Sequence, residues 1–301
     1  MNDLDEYKTV LIIGNGFDLN IKMHTSYSDF MKSKYFESLL SEKNSLASNL
    51  NNRRKCDSNW IDIEKELGNY ARVLADYNIY EIPREVRYNR DLSDMDKAFR
   101  AEFTSLCDAL KRYLKEIEDL SKLDSNIECT FAYNLIRELV LERKSCYVVN
   151  FNYTYFVERV IEAANCNYNT GFKIRQIHGS LKKNIVFGVQ DSLNLNREHV
   201  FLYKSHNKNQ DVKGVPQILE NANKIIFFGY SLGETDHSYF SDFFETQTRP
   251  QCHSKTIKFY YYGQDAYDDI IWQLKTLTNN RTSYLNQYNN IQFEDSSRIS
   301  K

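Results

Sequence analysis

The residues best suited to chemistry fall in four short stretches, each following an apolar run. The first is Gly14-Asn15-Gly16-Phe17-Asp18-Leu19, directly after Val10-Leu11-Ile12-Ile13. Two glycines after a buried strand allow a tight turn and bring backbone N–H groups near a phosphate at a helix N-terminus. Leu19 stands where the third glycine of the dinucleotide fingerprint belongs. A turn that needs glycine only for its backbone angles would read the same way. The second stretch is Asn150-Phe151-Asn152-Tyr153-Thr154, a polar cluster at a strand end, where open α/β sheets place ligand contacts. An Asx-turn followed by a helix cap is its plain structural alternative. The third is Ile177-His178-Gly179-Ser180. A histidine before a glycine at a strand terminus can face a cleft, and imidazole accepts a proton near neutral pH. The fourth is the run from Phe228 to His237, in which Ser231 and Glu234 have capping-box spacing. Asp236 and His237 are adjacent metal-type ligands without a third at suggestive spacing, so no metal is expected.

These stretches need a scaffold, and the hydrophobic pattern supplies one. Short runs rich in β-branched and aromatic residues occur at Thr9–Ile13, Cys146–Phe151, Ile174–Ile177, Ile185–Phe187, Lys224–Phe228 and Thr256–Tyr262. Several are apolar on both faces, the mark of strands buried between two helical layers. Between the first two runs the period changes. Trp60, Ile63, Leu67, Tyr70, Leu74 and Tyr77 advance by threes and fours, as do Phe99, Phe103, Leu106, Leu110, Tyr113, Ile117 and Leu120. That spacing predicts two amphipathic helices. The expected fold class is therefore α/β, a Rossmann-like parallel sheet with helices on both faces and a large helical insertion after the first strand. The expected division is 1–22 for the first strand and Gly-rich turn, 23–141 for the insertion, 142–275 for the rest of the nucleotide-binding domain, and 276–301 for a polar tail. Ile291-Gln292-Phe293 alternates in a way that would add one edge strand. Arg53-Arg54-Lys55 reads as a solvated loop, Glu64 as a flanking surface carboxylate, and His24, His199, His206 and His253 as surface residues.

Composition narrows the function classes. Thirty-nine basic against forty-one acidic residues leave a net charge of −2, without the basic excess of a dedicated nucleic-acid binder. The longest purely aliphatic stretch is Val10–Ile13, far short of the roughly 20 apolar residues of a membrane span, and no membrane partner is expected. Six scattered cysteines without a C-x-x-C pair argue against a zinc site and fit reduced thiols in a cytoplasmic protein.

Taken in order, these motifs resemble the sirtuin-like NAD-binding fold. More closely, the chain resembles the AbiH family of bacterial abortive-infection proteins, named for blocking phage propagation. The resemblance is carried by LIIGNGFDLN, TSYSDF, NWIDIE, VVNFNYT, IHGSL, IVFGVQD and FFGYSLGETDHSYF, spread between residues 11 and 240. It implies that Gly14, Asn15 and Gly16 hold a pyrophosphate and that Asn152 contacts the ribose next to nicotinamide and positions water. It further implies that His178 is the catalytic base and that Gly229 and Ser231 contact the adenosine side. Asp18, Thr154 and Gly179, inside the same stretches, complete the expected nucleotide-contacting set. Two departures matter: the paired C-x-x-C motifs of sirtuin deacylases are absent, and Thr154 stands where those enzymes carry Asp. Lysine deacylation is thereby disfavoured. The leading expectation is an antiphage effector that binds and hydrolyses NAD, with NAD as substrate or ligand and a phage-derived or host protein as trigger. The alternatives are a nucleotide-binding sensor that leaves its ligand intact and a metal-dependent nuclease using Glu64, Asp18 and Asp236. Homo-oligomerisation is left open.

Overall fold

A computed structural model of the chain describes residues 8–56, 62–80, 92–142, 145–164 and 171–297. The chain divides into two compact units. The first comprises residues 1–24, 120–180 and 211–301; the second comprises 25–119 and 181–210.

The first unit is built on a six-stranded sheet of β1 (Thr9–Ile13), β2 (Cys146–Asn150), β3 (Phe172–Gln176), β4 (Lys224–Phe228), β5 (Thr256–Tyr261) and β6 (Asn290–Asp295). Every pairing is parallel and the spatial order is β3-β2-β1-β4-β5-β6. Parallel strands need crossovers, which place helices on the sheet faces and leave central strands buried on both sides. All five residues of β1 and of β2 are buried, as the unbroken apolar runs predict. One face carries Val10, Ile12, Val149, Ile225 and Phe227. It packs against α9 (Val215–Asn221), α10 (Ser241–Gln247), α11 (Gly263–Leu277) and α12 (Thr282–Tyr288). The opposite face, with Leu11, Ile13 and Phe228, is equally sealed. There Phe17 of α1 (Asn15–Asn20) meets Phe228 edge-on at 5.7 Å. Beside α1 lie α7 (Phe131–Leu141) and α8 (Phe156–Ala164), which pack on each other. The expected α/β class with two helical layers is the observed one. The strand order reverses between β1 and β4, the position at which open α/β sheets place their ligands. Ile291-Gln292-Phe293 lies in β6, the edge strand beside β5.

Ile185–Phe187 departs from expectation and forms no strand. It belongs to the second unit, where its apolar side chains are buried by aromatic packing. Phe187 stacks on Phe103 at 6.0 Å and meets Tyr27 at 5.9 Å. A β-branched and aromatic run is buried equally well by a ladder or by a ring cluster, and here the rings prevail.

The second unit contains α2 (Tyr27–Met31), α3 (Lys34–Ser41), α4 (Ser45–Cys56), α5 (Ile63–Tyr80) and α6 (Leu92–Leu120). The two helices foreseen from periodicity are α5 and α6; Trp60 lies outside the described residues. Ser26 and Asp29 of the TSYSDF stretch form a reciprocal capping box that starts α2. Glu102 of α6 accepts the Ser45 and Leu46 N–H groups at 3.0 and 3.2 Å, placing its charge at the positive end of α4. Arg53 and Arg54 lie on α4, not in a loop, and Arg54 donates to the Met31 carbonyl at 3.1 Å.

Two other expectations are overturned here. Glu64 is buried, 2.8 Å from the equally buried Lys204. Its carboxylate tolerates burial because the ammonium compensates it, and removing one partner of such a pair costs on the order of 3–5 kcal/mol. His199 is buried as well, with Nε2 3.1 Å from Asp96 and its ring edge-on to Phe99 at 5.1 Å. In both cases the stabilising partner lies far away in sequence.

Asp62 begins α5, its Oδ1 accepting the Lys65 N–H at 3.1 Å. Burial first, and the neighbouring Glu64 second, push its carboxyl up to about 6 from 3.8. A carboxyl with a raised folded-state pKa adds stability below the unfolded value and loses it as pH climbs through the folded one. Asp62→Asn keeps the cap and removes the ionisation. The melting temperature of this variant, taken relative to the native chain, should therefore rise between about pH 4 and about pH 7. A difference that stays flat across that interval would refute the assignment.

Candidate functional site

The candidate site lies at the carboxyl ends of β3, β2, β1 and β4. These four strands are adjacent, and their last residues are in register: Ile13 pairs with Asn150 and Phe228, and Asn150 with Gln176. Level strand ends bring all four motif-bearing loops to one rim of the sheet.

At its centre the turns after β1 and β4 meet backbone to backbone. Gly14 N–H donates to the Phe228 carbonyl at 3.2 Å, and Gly16 N–H to the Gly229 carbonyl at 2.9 Å. A Cβ on Gly16 would lie 2.5 Å from Gly229 Cα, and one on Gly229 would lie 2.4 Å from Gly16 Cα. Gly229 also has φ +58°, in the left-handed region. These glycines are thus required for close approach between neighbouring strand exits. Their N–H groups are engaged within the protein, so polar side chains around the turn must do much of any ligand recognition.

Asp18, on α1, is buried and receives two side-chain donors from the loop after β2. Asn152 Nδ2 donates to its Oδ1 at 3.0 Å and Thr154 Oγ1 donates to its Oδ2 at 2.6 Å. Asn152 Nδ2 also donates to the Gly14 carbonyl at 3.1 Å. Its backbone N–H is held by Asn150 Oδ1 at 2.8 Å, the anticipated Asx-turn. With both amide hydrogens committed, the group Asn152 offers outward is its Oδ1 acceptor. Asp18 therefore sets the orientation of Asn152.

A second network forms around His178. The ring is 5% exposed and sits edge-on to Phe151 at 5.2 Å, with Tyr239 at 6.1 Å. Its Nε2 is sealed from solvent and lies 3.1 Å from Asp236 Oδ1, off the line of an aligned hydrogen bond. Asp236, also buried, accepts the Tyr230 hydroxyl on Oδ2 at 3.0 Å. Tyr230 in turn packs tilted against Phe151 at 4.5 Å, and its ring edge crowds the position a Cβ on Gly14 would take. The Phe151–Tyr230 pair thus joins the imidazole network to the Gly14–Asp18–Asn152 network. Gly179, after the histidine, turns the chain with φ +71°.

Other expected residues stand apart. Ser231 is exposed on the loop after β4 and caps nothing. The short 3₁₀ helix Glu234–Tyr239 starts instead from Gly233, because the buried Leu232 adopts φ +55° and carries the chain past the expected cap. His237 Nε2 reaches the Leu232 carbonyl at 3.1 Å and Gln273 Oε1 at 2.8 Å, so it ties this loop to α11. Among the described residues no group of three or more His, Cys, Asp or Glu side chains is placed to hold a metal. The carboxylates of Asp18, Asp236 and Glu64 each have their own protein partner. The sequence offered Asp236 only as a possible metal ligand; its contact with His178 joins loops that only the sheet brings together.

A protein-family model described as Bacteriophage abortive infection AbiH matches residues 10–261, and the chain belongs to that family. Its role is therefore in bacteriophage abortive infection. No curated protein matches the chain. Among the described residues no helix is long and apolar enough to cross a membrane.

The glycine contact predicts a specific sensitivity. Gly229→Ala adds both a backbone overlap and a left-handed strain, and should lower the unfolding free energy by at least about 2 kcal/mol. Urea denaturation with an unchanged midpoint would show that the two turns are not held this closely.

Proposed function

We propose, from membership of an abortive-infection family and from the construction of the sheet rim, that this protein is an antiphage effector that binds NAD at the β1/β4 crevice and hydrolyses its nicotinamide–ribose bond. The observation that carries the reading is a buried imidazole, one wall-sharing aromatic pair away from an asparagine of enforced orientation, at the strand-order reversal where open sheets bind dinucleotides.

The chemistry asks for little beyond these groups. The bond between ribose C1′ and the nicotinamide nitrogen breaks, and nicotinamide leaves as a neutral base with the electron pair. Positive charge develops on the ribose, as in glycoside hydrolysis. A water oxygen bonds to C1′ and its proton passes to His178. The products are ADP-ribose and nicotinamide, with one proton released. Asn152 Oδ1 serves as the acceptor for the attacking water or a ribose hydroxyl. Asp18 and Thr154 act behind it by fixing the amide. In this reading Gly14, Asn15 and Gly16 meet the diphosphate, Gly229 and Ser231 meet the adenosine side, and Gly179 completes the contacting set. A phage-derived or host protein supplies the trigger in a cytoplasmic setting.

Nicotinamide and ADP-ribose release from NAD, measured with and without extract of infected cells, tests this. His178→Ala should reduce release by about 10²–10⁴-fold, the usual worth of general-base assistance. Asn152→Ala should be inactive and also less stable, because it leaves the Asp18 carboxylate short of a donor. Equal turnover in the native protein and His178→Ala would refute hydrolysis at this site. A nucleotide that co-purifies and is never altered would instead favour the sensor reading.

A further inference from the structure

We propose that Asp236 is the positioning residue for His178: its carboxylate holds the Nε2–H tautomer and leaves Nδ1 as the nitrogen that takes the proton from water. The proposal rests on the NAD-hydrolysing reading of the site for its catalytic consequence, but not for the pairing itself. Nε2 is sealed within the protein, and the neighbour within reach is Asp236 Oδ1 at 3.1 Å. A buried N–H left without an acceptor is costly, and the Asp236 carboxylate is the charged acceptor close enough to take it once the contact aligns. The contact is imperfectly aligned, as catalytic hydrogen bonds often are before substrate binds.

The carboxylate is itself fixed. Tyr230 donates to its other oxygen at 3.0 Å, and Tyr230 packs at a tilt against Phe151, whose ring meets His178 edge-on. Hydroxyl, carboxylate and imidazole therefore form one chain within an aromatic wall, all drawn from loops after β2, β3 and β4. When His178 accepts the water proton on Nδ1, the resulting imidazolium faces the Asp236 carboxylate, which stabilises the new charge. The proton moves from water to Nδ1 and no other bond of the pair changes.

Histidine ¹⁵N spectra of the native protein report which ring nitrogen carries the hydrogen, with the His178 signal identified by its loss in His178→Gln. The expected result is Nε2–H in the native protein and a shift toward Nδ1–H in Asp236→Ala. The kcat of Asp236→Ala for NAD should fall by about 10²-fold or more while KM changes little. Nδ1–H in the native protein, or an Asp236→Ala variant with unchanged tautomer and kcat, overturns the assignment. The native spectrum needs no variant of Asp236, so misfolding of Asp236→Ala leaves that arm decisive. If the native protein releases no nicotinamide yet shows an Asp236-dependent Nε2–H, the pairing stands and the NAD reading alone fails.

Discussion

Gly16 and Gly229 approach so closely that neither position has room for a Cβ, and the rim of the sheet is organised around that contact. It occurs where β1 and β4 lie side by side and the strand order reverses. Their exits must pass within backbone distance before they diverge, and two N–H groups of the β1 turn are satisfied by the carbonyls of Phe228 and Gly229 as they do so. The flanking loops inherit their positions from this junction. Gly14 presents its carbonyl to Asn152 on one side and meets the ring of Tyr230 on the other.

From that junction two buried polar networks extend. The Asp18 carboxylate takes the amide of Asn152 and the hydroxyl of Thr154, which removes the freedom of the asparagine to flip. The Asp236 carboxylate lies between the Tyr230 hydroxyl and the His178 ring. Partly satisfied polar networks in low dielectric are costly, and fully satisfied ones fix a single arrangement. Here the two carboxylates act through neighbours, one on an amide and one on an imidazole.

The second unit follows other rules. Its helices begin at explicit caps, with Ser26 and Asp29 starting α2, and Asn44 and Glu102 starting α4. Its interior is a ring cluster including Phe99, Phe103, Phe187 and Phe201. The Glu64–Lys204 pair bonds the segment 181–210 to α5. A buried ion pair of this type specifies which segments belong together more than it adds net stability.

Local chemistry was legible in the amino-acid sequence. Val10–Ile13 read as a buried strand and the threes-and-fours spacing of α5 and α6 as amphipathic helix, and the residue types at Asn150–Thr154 allowed the Asx-turn that forms there. Family membership was legible too, through motifs from LIIGNGFDLN to FFGYSLGETDHSYF. What the sequence could not settle depended on partners distant along the chain. Glu64 and His199 read as surface groups because Lys204 and Asp96 are far from them in sequence. Ser231 and Glu234 have capping-box spacing, but the left-handed Leu232 moves the cap to Gly233. Asp236 meets His178 only because β4 follows β1 and β2 in the sheet and brings its loop to the end of β3. Periodicity and turn chemistry are properties of neighbouring residues, whereas strand order is set by burying the central strands between two helical layers, and that order decides which side chains meet.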